Sequence, residues 1–384
     1  MAIDDQEQMS LREADESGAT RLLAEAAGAA VDMHARLDSV IVDLFLPDGG
    51  RLRDVQRVMM AQLLAKLVRA VEDDVRHRLI GRIAGPSGAA IDAALGAEGI
   101  EIVTPALLRA GVLRDAEFVA ALLRRADEHR LGRALRIAAA RAVEGDSLPI
   151  RPLIDELLPG DDPALAEAAM AYLVADSRRF DRFQDPLLAR TDLSAELQHR
   201  LVWWAAAALR DYLIRIHRLP AATADDALTQ AATQSLAGYD EGATLESRAM
   251  QLARLLNTAG RLDDAIVARA LAEGRLALVA AGLAVRAGIP FAPAWDMLVE
   301  PEGDRLVVLL RAVGATRAAA ADIVLRLVQA NGGDGSDGGA GVAARMEAFD
   351  ALNPGEARSA ILLWRLDDGY RRAIAQLSAG EIAA

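Results

Sequence analysis

The 384-residue sequence contains no cysteine. Disulfides, thiolate nucleophiles and Cys-based zinc or iron–sulfur sites are therefore excluded. Aromatic residues make up only 4%, and lysine occurs once, at Lys66. With 53% apolar residues, a core must be built from Ala, Leu, Val and Ile, which favours helices. Alternating Val/Ile/Thr runs, the signature of strands, are nearly missing. No apolar run reaches the ~18 residues that a transmembrane helix needs. The start, "MAIDDQEQMSLREADESGA", has no basic n-region and no apolar h-region, so no secretory signal is expected. A cytoplasmic location and no membrane contact are the expectations, and the lack of cysteine fits a reducing compartment. Net charge is −13, which disfavours global binding to DNA, RNA or anionic lipid.

What is present is helix after helix. In 52–83 the spacing places Val55, Met59, Leu63, Leu67, Val71 and Val75 on one helical face. "GPSGAA" then breaks the chain. "TPALLRAG" predicts a helix capped by Thr104 with Pro105 at its first position. "RDAEFVAALLRRA" sets Phe118, Val119, Leu122, Leu123 and Ala126 at helical spacing. "GDDPALAEAAMAYLV" starts with an aspartate cap before Pro163. The aspartate pairs at 161–162, 225–226 and 263–264 read as helix starts, where carboxylates favour the dipole. Capping explains them better than acid–base catalysis.

Segments 107–123, 283–298 and 309–325 share a plan. A helix ends in Arg-Ala, a glycine follows (Gly111, Gly288, Gly314), and after a short loop another helix begins. Helical hairpins that repeat this way bury their faces only by stacking. The plain alternative is chance matching in an Ala/Leu-rich chain. The predicted organisation is an acidic disordered tail over 1–18 and a helical-repeat array over 19–330, with a sub-boundary near 145–150. A flexible Gly-rich loop over 331–341 and a C-terminal helical pair over 342–384 complete it.

The segment 101–141 carries an apolar-x-x-Pro-x-Leu start from Ile102 to Leu107, then Leu113-x-Asp115, Glu128-His129 and an Arg-rich helix. Together with "GDRLVVLLRAVGATRAAAADIVL" (303–325) and the surroundings of Trp203-Trp204, it resembles a family of uncharacterised bacterial proteins, mostly alphaproteobacterial. Those proteins carry a HEAT-like helical domain of unknown function. The resemblance covers most of 20–330. It implies a fold and no reaction, and no catalytic residue carries over. The expected fold is all-α: a HEAT-like α-solenoid of seven to nine stacked antiparallel helical pairs.

The stretch "LVWWAAAALRDYLIRIHRL" (201–219) follows candidate caps Thr191, Asp192 and Ser194, and Leu219-Pro220 ends it. A helix of about 25 residues is expected. At 100° per residue, Val202, Ala205, Leu209, Tyr212, Leu213 and Ile216 share a core face, and Trp203 points the opposite way, near His199, Arg210 and His217. Trp203 is then either buried in a helix sandwiched between neighbours, or an exposed anchor ringed by arginines.

Chemistry is sparse. "ELQH" (196–199) and "DVRH" (74–77) are isolated half-motifs of a di-iron bundle, which needs two Glu-x-x-His motifs and two further glutamates. His199 and His217 are about 27 Å apart along one helix. Lys66 lacks a glycine-rich turn, so no P-loop exists, and "GRIAGPSG" (81–88) has no βαβ context. No Gly-x-Ser-x-Gly elbow occurs. No catalytic, cofactor or metal residue is assigned. The distinctive feature is electrostatic: "RRADEHRLGRALRIAAAR" (124–141) has six arginines and two acids in an acidic chain. Arg130, Arg133, Arg136 and Arg141 fall on one helix. They read either as solvated side chains covering apolar surface with their stems, or as a ridge for an acidic or phosphorylated protein partner. With Trp203 and Arg210 they form the candidate partner-binding set. The expected function is a non-catalytic interaction scaffold or regulatory adaptor. A nucleic-acid-binding module using the same arginines is the alternative, opposed by the net charge and by the missing interleaved aromatics. An enzyme with an interhelical carboxylate or histidine site comes third.

Overall fold

The computed structural model describes residues 54–83, 88–97, 99–142, 151–160, 162–300, 303–332, 337–367 and 369–371. The expected tail over 1–18 lies outside them. In chain order the helices are α1 (Asp54–Leu79), α2 (Gly88–Gly96), α3 (Val103–Ala110), α4 (Ala116–Ala142), α5 (Leu153–Leu157), α6 (Pro163–Ser177), α7 (Ala195–His217) and α8 (Ala221–Leu236). They continue with α9 (Leu245–Thr258), α10 (Asp264–Ala272), α11 (Leu276–Ala287), α12 (Phe291–Val299), α13 (Asp304–Ala312), α14 (Arg317–Ala330), α15 (Asp337–Ala351) and α16 (Pro354–Ile361). Among the described residues there is no strand, only one isolated bridge between Phe180 and Pro186. The described chain is all-α, the class its composition favours.

The described residues divide into two compact units. Those of the first fall within 37–126 and 174–247, and those of the second within 127–173 and 248–384. The first change of unit comes after Ala126, inside α4. The sub-boundary expected near 145–150 falls outside the described residues.

In the first unit α1 packs against α3, α7 and α8. Leu63, Leu67, Val71 and Val75 are buried as the spacing predicts, joined by Met60, Leu64, Val68 and Leu79. α7 and α8 lie more than 100 residues from α1 in sequence. A simple solenoid stacks each pair on its sequence neighbours, so this unit departs from that plan. Two buried charges on α1 organise the chain beyond it. Arg76 donates to the carbonyls of Ala94, Leu95, Ala97 and Ile100, and to Glu72. Glu72 accepts from the backbone N–H groups of Ile102 and Val103. These bonds satisfy two of the orphan donors at the start of α3. Thr104, expected as its cap, already lies inside the helix, whose N-cap is Ile102. Gly111 ends α3 in the left-handed conformation at φ 71°, as predicted.

In the second unit α11 is buried nearly all round, from Leu276 to Ala284. α10, α12 and α13 pack against it. No single described helix is long and apolar enough to cross a membrane. α11 and α12 pass that test as a pair bent by 120°, but their apolar side chains are the core of this unit. The helix ends follow the predicted chemistry. Asp162 accepts from the N–H groups of Ala164 and Leu165, Asp263 caps α10 through Ile266 N–H, and Gly288 caps α11 at φ 66°. Gly314, also left-handed, follows Val313 at the end of α13. One glycine pair is set by contact: a Cβ on Gly132 of α4 would stand 2.8 Å from the carbonyl oxygen of Gly274, in the α10–α11 turn. The backbones touch there, and only glycine fits. The Gly-rich stretch 331–341 departs from the expected loop, because α15 begins at Asp337 and takes in its second half.

Candidate functional site

α4 starts where Asp115 accepts from Phe118 N–H at 3.1 Å. Phe118, Val119, Leu122 and Ala126 are fully buried, while Leu123 is only half-buried. The six arginines of this helix have different tasks. Arg125 is buried and donates to the carbonyls of Leu187 (2.7 Å) and Arg179 (2.8 Å). Arg124 lies 3.5 Å from Glu246. Arg130 is half-buried, donates to Asn331 Oδ1 at 2.9 Å and lies 3.8 Å from Asp127. It is an internal tether, not part of an open ridge. Arg133, Arg136 and Arg141 are exposed and form no ion pair among the described residues. They cover about 12 Å of helix length within an arc of about 140°.

α7 begins at Ser194, whose hydroxyl accepts from Leu197 N–H. Val202, Ala205, Leu209 and Leu213 are buried and Tyr212 is half-buried. Ile216, expected on the same face, is 65% exposed, because the last turn of α7 runs past the core that covers its middle. Trp203 takes neither of its two expected places. It is half-buried against the core cluster, and its indole N–H donates to His199 Nε2 at 3.0 Å. Arg210 is not available either. Its guanidinium is engaged by both carboxylate oxygens of Asp225, which holds the Asp225 carboxyl below its ordinary range. That contact also corrects the placement of the 225–226 pair, which lies inside α8, not at its start.

The histidines do not converge. His77 and His199 are exposed, His217 lies against the Tyr212 ring at 5.2 Å, and His34 lies outside the described residues. Among the described residues no three His, Asp or Glu side chains are arranged to hold a metal.

Two features were missed in the sequence. The first joins three elements of the first unit. Asp74 accepts from Arg78 Nε (3.1 Å) and Ser235 Oγ (2.6 Å) and pairs with Arg190 at 2.8 Å. Burial pushes the Asp74 carboxyl up, but the Arg78, Ser235 and Arg190 hydrogen bonds and the Arg190 charge outweigh it and hold it at about 2. The second is the turn at 180–186, which lifts an exposed phenylalanine on a braced base. Its only signal in sequence is a pair of phenylalanines inside the polar run "RRFDRFQDP".

Comparison with known proteins adds a family and no activity. Residues 102–361 match the model of a family described as "Uncharacterised protein conserved in bacteria (DUF2336)". No curated protein and no solved structure matches the chain. The match takes in α3 to α16, about two thirds of the 384 residues, and the chain belongs to this bacterial family.

Proposed function

We propose that this protein is a non-catalytic interaction scaffold or regulatory adaptor of the cytoplasm, and that Arg133, Arg136 and Arg141 of α4 receive an acidic or phosphorylated segment of a protein partner. One observation carries the reading. Three exposed guanidinium groups follow one another on a single helix without an ion pair among the described residues, in a chain whose net charge is −13. Several other arginines close on neighbouring carboxylates, as Arg179, Arg200, Arg286 and Arg305 do. The guanidinium is planar and presents a fork of N–H donors that matches carboxylate or phosphate. The short hairpins from α10 to α14, with glycines at their turns, support a HEAT-like reading of that part of the chain.

The test is affinity capture from nuclease-treated cytosol with the wild type and with Arg133→Glu/Arg136→Glu/Arg141→Glu. The expected result is a protein retained by the wild type and lost from the variant, with the melting temperature unchanged. Unchanged retention by a folded variant removes the arginine face from the argument. Retention of nuclease-sensitive material alone, falling steeply with salt, would replace this reading by nucleic-acid binding.

A further inference from the structure

We infer that Arg182 and Phe183 form a preorganised docking tip, in which Phe183 enters an apolar pocket of a protein partner and Arg178 and Arg182 meet carboxylates at the pocket rim. The observations are independent of the arginine face on α4. After α6 the chain makes a tight hairpin. Leu187 N–H donates to the Arg179 carbonyl at 2.8 Å, Asp181 N–H to Asp185 at 3.0 Å, and Gln184 N–H to Asp181 at 2.9 Å. Gln184 closes the turn at φ 65°. That is the left-handed position of a three-residue hairpin loop, where glycine is the usual occupant. The chain accepts that strain and holds the loop from several sides. Asp181 Oδ1 accepts from the N–H groups of Phe183 (2.9 Å) and Asp185 (3.0 Å). The chain's one lysine, Lys66, donates to Asp181 Oδ2 at 2.9 Å and lies 3.6 Å from Asp185. At the base, Arg125 binds two carbonyls of the hairpin and lies over the Phe180 ring at 5.1 Å. Arg179, itself buried, pairs with Asp192 at 2.8 Å.

All this fixes a tip that touches little of its own chain. Phe183 is 70% exposed, the most open large apolar side chain among the described residues. The Arg182 guanidinium lies over its ring at 4.6 Å, which leaves the edge of the guanidinium free to donate. Arg178 and Arg182 are exposed and form no ion pair among the described residues. Aromatic and arginine side chains are the ones enriched at interface centres. A tip held in one conformation before contact loses less entropy on binding. The two guanidinium groups select a rim of carboxylates. An extended polyanion, whether a phosphate backbone or an anionic lipid surface, is disfavoured by the net charge of −13.

The test uses the full chain with p-benzoylphenylalanine at position 183, irradiated in the host bacterium, followed by mapping of the adduct on the partner. Affinity of the purified pair is then measured by calorimetry. The expected result is an adduct in an apolar pocket edged by Asp or Glu. Phe183→Ala then weakens binding by about 30-fold, Arg182→Glu weakens it more than Arg182→Ala, and the melting temperature of each variant stays at the wild-type value. The adduct persists when Arg133, Arg136 and Arg141 are all changed to Glu, so this inference and the proposed function fail separately. No adduct, an adduct to a second copy of the chain or to nucleic acid, or an affinity that Phe183→Ala leaves unchanged would each overturn it. A melting temperature lowered by Phe183→Ala would overturn it as well, by making the ring structural.

Discussion

Asp74→Asn should destabilise the first unit in a pH-dependent way. The carboxylate ties α1 to Arg190 and to Ser235 of α8, and Arg190 donates to the same serine at 2.9 Å. Its pKa falls from 3.8 to about 2 on folding. At 1.36 kcal/mol for each pH unit between the two values, this corresponds to about 2 kcal/mol. The group is only 22% exposed, so solvent screening removes little of this. The folded pKa is depressed, so the contribution is fully present above the unfolded value near 4 and is lost as pH falls towards 2. Urea unfolding of wild type and Asp74→Asn would be compared at steps from pH 7 down to pH 2.5. The expected stability gap is about 2 kcal/mol at neutral pH, shrinking below pH 4. Asparagine keeps one oxygen acceptor but carries no charge, so the gap isolates the ionised state. A gap that stays constant across this range, or no gap at pH 7, would refute the assignment of the charge network as a source of stability.

Glu72→Ala should cost about 3–5 kcal/mol, because it leaves the buried Arg76 cation without its carboxylate partner and the Ile102 and Val103 N–H groups at the start of α3 without an acceptor. Glu72→Gln keeps an acceptor oxygen and should cost less; equal losses in chemical denaturation would argue against that division. Trp203→Ala should cost roughly 2 kcal/mol, below the 3–5 kcal/mol of a fully buried tryptophan, since the ring is only half-covered. A loss at the full value, or none, measured by thermal unfolding would contradict the half-burial.

Much of the secondary structure could be read residue by residue. Ser194, Asp162 and Asp263 cap the helices they precede, and Gly111 and Gly288 end the ones they follow. Each effect acts within one turn of chain. The missed cases have non-local causes. Thr104 lost its place as a cap because Glu72, 31 residues before Val103, supplies the acceptor for the Val103 N–H. Residues 337–341 are helical despite their glycines, and the helix they open packs against α13 and α14, so tertiary contact overrides a weak propensity.

The candidate surface was half legible. The cluster of arginines on one helix is a property of spacing alone. Which of them are open to a partner is not, because Arg130 is tied by Asn331, 201 residues on, and Arg125 by Leu187 and Arg179. By itself the sequence determined an all-helical chain without cysteine chemistry, because composition and i to i+4 spacing act locally. Only the tertiary structure decided that Arg210 is closed by Asp225, that Trp203 is half-covered, and that Phe183 stands out on a braced turn. Those outcomes depend on which distant segments arrive beside each side chain, and burial and charge pairing are settled there.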